Sequence, residues 1–149
     1  MMIIMTFIAY IAEYNAEIFK NLIATLCDIA GVRVTTYTAT QAAASRWLTL
    51  HSGTWHLAIV DLFLEEGKGW GVLASCRDRE ARQKIVLLPN HTTPEIRERA
   101  IAVGANAVFD KSTKLDLPLA FCMEHTANVK SEETQAAENE AVARKAVTT

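Results

Sequence analysis

The sequence predicts an α/β domain built on a doubly wound, five-stranded parallel sheet. Three observations lead there. Short apolar runs rich in β-branched and aromatic residues recur along the chain, and most are continuous rather than alternating, which is the pattern of strands covered on both faces. Segments with helical spacing lie between them. Strand and helix therefore alternate five times, the signature of parallel strands joined by right-handed crossovers.

The first strand is expected within Ile3–Ile11. The opening MMIIMTFIAYIA resembles a signal peptide only briefly, because it lacks a basic leader, meets Glu13 and is too short to span a bilayer. Ile18, Leu22, Leu26 and Ile29 then form one apolar stripe, ending at Gly31. Val32–Thr38 reads as the second strand, and Thr40–Leu50 as a helix with Ala43, Trp47 and Leu50 on its buried face. Leu57–Val60 is the third strand, followed by glycines at 67, 69 and 71 and a helix over Trp70–Arg79. Ile85–Leu88 is the fourth strand. Thr93-Pro94-Glu95 opens a helix that reaches Gly104, with a cap, a proline in the first turn and an acid at the positive end of the dipole. Ala107–Phe109 is the fifth strand, and a last helix is expected over Leu115–Ala127. The domain body occupies 1–128. Residues 129–149 carry no large apolar side chain beyond valine, so they form a flexible or helical tail, either frayed or an exposed extension of the last helix. That tail is too short and polar to be an output domain.

Composition narrows the function. A chain of 149 residues, half of them hydrophobic, can bury a core without disulfides or metals. The formal net charge of −2 argues against a basic nucleic-acid face and against direct nucleic-acid binding. No membrane segment is expected. Cys27, Cys76 and Cys122 are odd in number, scattered and without CxxC spacing, which suits a reduced, cytoplasmic compartment. There is no GxGxxG, GxxxxGK[ST] or nucleophile elbow to suggest a small-molecule enzyme.

In parallel sheets, sites form beyond the carboxyl ends of the strands. Here those ends are Glu13-Tyr14, Asp61, Pro89-Asn90 and Asp110-Lys111, which are expected to converge. An acid ending a buried strand, with a second acid and a lysine beside it, can hold Mg²⁺ and a transferred phosphoryl group. The alternative is a buried Asp–Lys ion pair that only joins two strand ends.

IVDLFLEEGKGWGVL resembles the phosphoacceptor strand and loop of bacterial response-regulator receiver domains, with Asp61 at the acceptor position. GANAVFDKST resembles their last strand, with Lys111 at the lysine position, and IAEYNAEIFKNLI resembles the end of their first strand, with Glu13 first in the acidic pair. The resemblance spans about residues 5–127 and implies the flavodoxin-like (βα)5 receiver fold. It further implies a phosphorelay function. A sensor histidine kinase or phosphotransfer protein would phosphorylate Asp61, with weakly bound Mg²⁺ held by Glu13, Asp61 and the Phe63 carbonyl, and Lys111 on the phosphoryl group. With no activity beyond autocatalytic phosphorylation and dephosphorylation, a single-domain regulator of this kind signals to an effector protein or a second copy of itself.

Four positions depart from the family pattern. Tyr14 replaces the second acid, and a neutral phenol is a poor Mg²⁺ ligand. Pro89 stands where a switch Ser or Thr is expected and has neither hydroxyl nor N–H; Asn90 could offer an amide, or Thr92 or Thr93 a hydroxyl. Val108 occupies the switch-aromatic position, with Phe109 on the opposite side of the strand, and Ser112 rather than proline follows Lys111. The alternative function is thus a pseudo-receiver, an interaction module that keeps the fold without regulated phosphorylation.

Overall fold

The computed structural model describes residues 7–13, 15, 17–18, 20–21, 24, 32–111 and 116–148. Strands β1 (Phe7–Ala12), β2 (Val32–Thr38), β3 (Leu57–Asp61), β4 (Lys84–Leu88) and β5 (Ala107–Val108) form one sheet in the order β2-β1-β3-β4-β5. Every adjacent pair is parallel. Helices α1 (Gln41–Leu50), α2 (Gly69–Ser75), α3 (Pro94–Val103) and α4 (Asp116–Thr148) follow β2, β3, β4 and β5. Residues 1–6 and most of the stripe from Ile18 to Ile29 lie outside the described residues.

Both faces of the sheet are covered, as continuous apolar strands require. On one face Tyr10, Ala58, Val60, Ile85, Leu87 and Val108 join Ala44 and Leu48 of α1, Val72 and Leu73 of α2 and Ala100 of α3. On the other, Ala9, Ile11, Leu57, Ile59, Val86 and Leu88 pack with Ile18, Phe109 and Phe121, the last from α4. Successive residues of β3 alternate between these clusters, and all five of its positions are buried. A truncation of one such large side chain to alanine costs about 2–5 kcal/mol.

Helix ends follow their caps. Thr40 accepts from Ala43 N–H at 3.2 Å, and Thr93 accepts from Ile96 N–H at 3.2 Å with Pro94 opening the helix. Gly104 ends α3 at φ 117°, a left-handed conformation open to glycine.

Three boundaries differ from the sequence reading. The buried seam of α1 is Ala44 and Leu48; Ala43 and Trp47 are half-buried and Leu50 is exposed. Trp55 closes the core at that end instead, buried with its indole N–H on the Leu48 carbonyl at 3.1 Å. Helix α2 stops at Ser75 rather than reaching Arg79. The reason is Arg79 itself, whose guanidinium donates to the carbonyls of Cys76 (3.1 Å), Gln83 (2.8 Å) and Gly104 and to Asn106 Oδ1 (2.7 Å), turning the chain away. Helix α4 runs on through the tail to Thr148. No glycine or proline interrupts residues 119–148, and i,i+4 pairs support the extension: Glu140–Arg144 at 2.6 Å and Gln135–Asn139 at 3.0 Å. The tail is thus an exposed helical extension.

The far end of the sheet, opposite the C-terminal strand ends, is joined by histidines. Ile8 N–H donates to His56 Nδ1 at 3.0 Å, and His125 Nε2 donates to the His56 carbonyl at 2.8 Å, fixing α4 to the start of β3. Burial holds both imidazoles below their usual pKa, which favours their neutral form. Free Cys76 is buried, and burial pushes its thiol up.

From Thr134 onward the described side chains are exposed except Ala137, so the extension adds little to the stability of the body. A chain ending at Asn128 is expected to keep its thermal midpoint within about 2 °C of the full chain while losing helical ellipticity. A fall of about 5 °C or more would show that the extension packs on the domain.

Candidate functional site

Strand order reverses at β1, which lies between β2 and β3, and the crevice beyond β1 and β3 is where doubly wound sheets bind their ligands. Ala12 pairs with Val60 in register, so the next residues along, Glu13 and Asp61, emerge side by side. Glu13 N–H donates to the Thr38 carbonyl at 3.1 Å, and one carboxylate oxygen accepts Asn15 N–H at 3.2 Å. Asn15 Oδ1 in turn accepts from Glu17 and Ile18 N–H at 3.0 and 3.2 Å, an N-cap that starts the helical residues after the strand. Tyr14 lies outside the described residues.

Lys111 arrives from β5. Its N–H donates to the Pro89 carbonyl at 2.9 Å, which fixes the ends of β4 and β5 together. Its ammonium then lies 2.7 Å from Glu13 Oε2 and 2.8 Å from Asp61 Oδ2. Glu13 is 1% exposed and Asp61 2%. The sequence reading of Glu13, Asp61 and Lys111 as one convergent set thus has its geometry.

The charges in this cluster do not balance. Two carboxylates share one ammonium, leaving a net charge of −1 in a buried site. The Lys111 ammonium reaches Glu13 Oε2 and Asp61 Oδ2 at hydrogen-bonding distance, so one cation serves both acids. Burial pushes the Glu13 carboxyl up to about 7; the Lys111 contact pulls it back and the Asp61 charge raises it further. A proton on Glu13 is one way to neutralise the excess charge, and a cation is the other.

A small hard cation fits what is there. Among the described residues no group of three or more His, Cys, Asp or Glu could hold a metal ion, which argues against a closed zinc cage. Mg²⁺ keeps several waters and takes only one or two carboxylates, so the adjacent Glu13 and Asp61 carboxylates suit it. Phe63 N–H points to Asp61 Oδ1 at 3.4 Å, and among the described residues no N–H donates to the Phe63 carbonyl. Gly69 packs against the end of β3, and a Cβ there would overlap the Asp61 carbonyl oxygen.

The other candidates are placed differently. Pro89 is buried and offers only its carbonyl, while Asn90 is exposed. Val108 is 2% exposed in the core, and Phe109 faces the opposite side, where its ring meets Phe121 at 6.0 Å. Thr93 is used as the α3 cap. Thr92 N–H donates to Asp110 Oδ2 at 2.8 Å, but its own buried hydroxyl has no hydrogen-bond partner among the described residues. Trp70 is half-buried beneath the Arg99 guanidinium, 4.4 Å from the ring centroid, a packing contact between α2 and α3. Ser112 lies outside the described residues. Gln41, which is hydrogen-bonded into the loop after Asp61, was not legible as a site residue, because glutamine in the first turn of a helix carries no distinguishing signal.

Glu13 sets a pH dependence of stability in the absence of metal. Its pKa is about 7 in the folded chain against an ordinary value of 4.5, so the folded state holds the proton more tightly. The stability this contributes is complete below about 4.5 and is lost as pH rises through about 7. Glu13→Gln is therefore expected to be more stable than wild type at pH 8, with the advantage gone at pH 5, in parallel urea titrations. Asp61→Asn leaves one carboxylate to one ammonium and is expected to keep the fold with equal or higher stability; clear unfolding in a thermal melt would make the Asp61–Lys111 pair structural.

No protein-family model matches the chain, and no curated protein matches it. Solved structures do. The signal receiver domain of a Luxo repressor protein from Vibrio parahaemolyticus superposes with a TM-score of 0.74 at 16% identity, covering 87% of this chain and 97% of that one. The receiver domain of the response regulator NarL from Mycobacterium tuberculosis gives 0.69 at 18% identity over 84% and 96%. The chemotaxis protein CheY4 of Vibrio cholerae gives 0.68 at 20% identity over 80% and 98%. With its parallel sheet in the order β2-β1-β3-β4-β5, this chain has the receiver fold of two-component response regulators.

Proposed function

We propose that this chain accepts a phosphoryl group on Asp61 and signals that state through protein contacts, as a response regulator in a two-component phosphorelay. The observation that supports the reading is the buried cluster at the switch point of the sheet, where two carboxylates, Glu13 and Asp61, share the single Lys111 ammonium. Mg²⁺ held by Glu13, Asp61 and the Phe63 carbonyl would supply charge neutralisation for the phosphoryl oxygens. In the transfer, an Asp61 oxygen attacks the phosphorus of a phosphohistidine; an O–P bond forms, the N–P bond breaks, and the imidazole leaves with that electron pair and takes up a proton. The Lys111 ammonium, 2.8 Å from Asp61 Oδ2, is close enough to follow the negative charge onto the phosphoryl group.

The donor in this reading is a sensor histidine kinase or phosphotransfer protein, and the recipient is an effector protein or a second copy of the chain. Its site is cytoplasmic, with no direct nucleic-acid or membrane contact and no turnover beyond autocatalytic phosphorylation and hydrolysis. Among the described residues no helix is long and apolar enough to cross a membrane.

One observation favours a second reading. Pro89 is buried at the end of β4 with neither hydroxyl nor N–H, so that position has no donor with which to register a phosphoryl group. A domain so built could serve as a pseudo-receiver, binding partners with no phosphorylation. Intact-mass spectrometry after incubation with a small phosphodonor decides between them. A single phosphoryl adduct is expected on wild type with Mg²⁺, and none on Asp61→Asn or with the metal chelated. No adduct over hours on a folded chain would establish the pseudo-receiver.

A further inference from the structure

The loop after Asp61 is fastened from outside the charge cluster. Leu64 N–H donates to the Gly67 carbonyl at 3.3 Å and Gly69 N–H to the Leu62 carbonyl at 2.8 Å, so residues 62–68 form a small turn in which Phe63 pairs with Lys68. That turn is stitched to the start of α1. Glu65 N–H donates to the Ala39 carbonyl at 2.7 Å, Gln41 N–H donates to the Glu66 carbonyl at 2.8 Å, and Thr40 bridges Glu66 in parallel. The last stitch is a side chain: Gln41 Oε1 accepts Lys68 N–H at 2.9 Å. The same carboxamide lies over Gly67 and Gly71, where a Cβ on either glycine would collide with it.

We propose that Gln41 is a positioning residue for the cation site: by holding Lys68 N–H and filling the seat left open by Gly67 and Gly71, it fixes the turn that carries the Phe63 carbonyl. The inference deepens the function proposed above and rests on it for the identity of the ion. A backbone carbonyl cannot be aimed by a rotamer change of its own; it points where the loop points. Phe63 is on a turn with an exposed ring, so no core packing holds it, and its N–H bond to Asp61 at 3.4 Å and the stitches to α1 restrain it. A ligand held in place before the ion arrives saves the ordering cost at binding. A residue needed only to start a helix would have no reason to send its carboxamide to a different loop.

The test uses the full chain labelled with ¹⁵N. Exchange of the Lys68 amide is measured without metal, and Mg²⁺ titrations are followed on the Phe63 and Lys68 amides. Gln41→Met fills the seat but cannot accept the hydrogen bond. It is expected to speed Lys68 exchange roughly five- to tenfold and to raise the Mg²⁺ dissociation constant several-fold, with global unfolding unchanged. Gln41→Glu keeps an acceptor oxygen and is expected to restore slow exchange. Gly71→Ala is expected to reproduce the Gln41→Met effect, because its Cβ evicts the carboxamide, and the double variant to be no worse than either single one. Unchanged Lys68 exchange in Gln41→Met, or additive losses in the double variant, would overturn the proposal. A wild type whose amides ignore Mg²⁺ would instead overturn the cation reading of the site, and the exchange rates alone then decide whether Gln41 holds the turn.

Discussion

The Lys111 ammonium, set between Glu13 and Asp61 at 2.7 and 2.8 Å, is the contact on which the C-terminal edge of the sheet depends. Each partner comes from a different strand, and only the sheet order brings them together. β1 and β3 are neighbours, and β4 carries β5 alongside through the Lys111 N–H to Pro89 bond. Burying these groups is costly, and one positive charge between two negative ones does not complete the compensation. Burial therefore pushes Glu13 toward its protonated form.

A charge imbalance of this kind has consequences for function beyond stability. A simple ion pair sets one acid against one base. Here a second acid, Glu13, shares the ammonium that Asp61 contacts, and the proposed cation reading rests on that excess of negative charge. The loop after β3 closes over the same end of the sheet. Gly69 lets α2 start against the Asp61 carbonyl, while Gln41 and the turn at Gly67 tie that loop to α1.

The ends of β4 and β5 are largely committed to packing and capping. Pro89 has no donor, Val108 is locked in the core, and Thr93 is committed to capping α3. Thr92 has a buried hydroxyl without a partner among the described residues, and its amide is fastened to the residue before Lys111. The distal edge is knit instead by His56, His125 and Arg79, whose hydrogen bonds join α4, β3 and the turns after α2 and α3. Hydrogen bonds thus stitch both ends of the sheet, while the buried charge cluster sits at the C-terminal end alone.

By itself the sequence determined the order of elements, because continuous apolar strands, the caps at Thr40 and Thr93 and the stop at Gly104 are local signals. It also determined which strand ends carry Glu13, Asp61 and Lys111, since strand-end positions follow from that order. Tertiary structure decided the rest. The seam of α1 moved from Trp47 and Leu50 to Ala44 and Leu48 because Trp55, further along the chain, fills the space. Helix α2 ended early where Arg79 caps its last carbonyl at Cys76 and reaches two further carbonyls, of Gln83 and Gly104. The tail stayed helical because nothing in it breaks a helix, which composition alone left open between a frayed and a helical form. Gln41 acquired its part only where Gly67 and Gly71 came to face it. Periodicity and capping act over a few residues and can be read along the chain; a seat, a shared ammonium or a distant carbonyl exists only once the sheet has assembled.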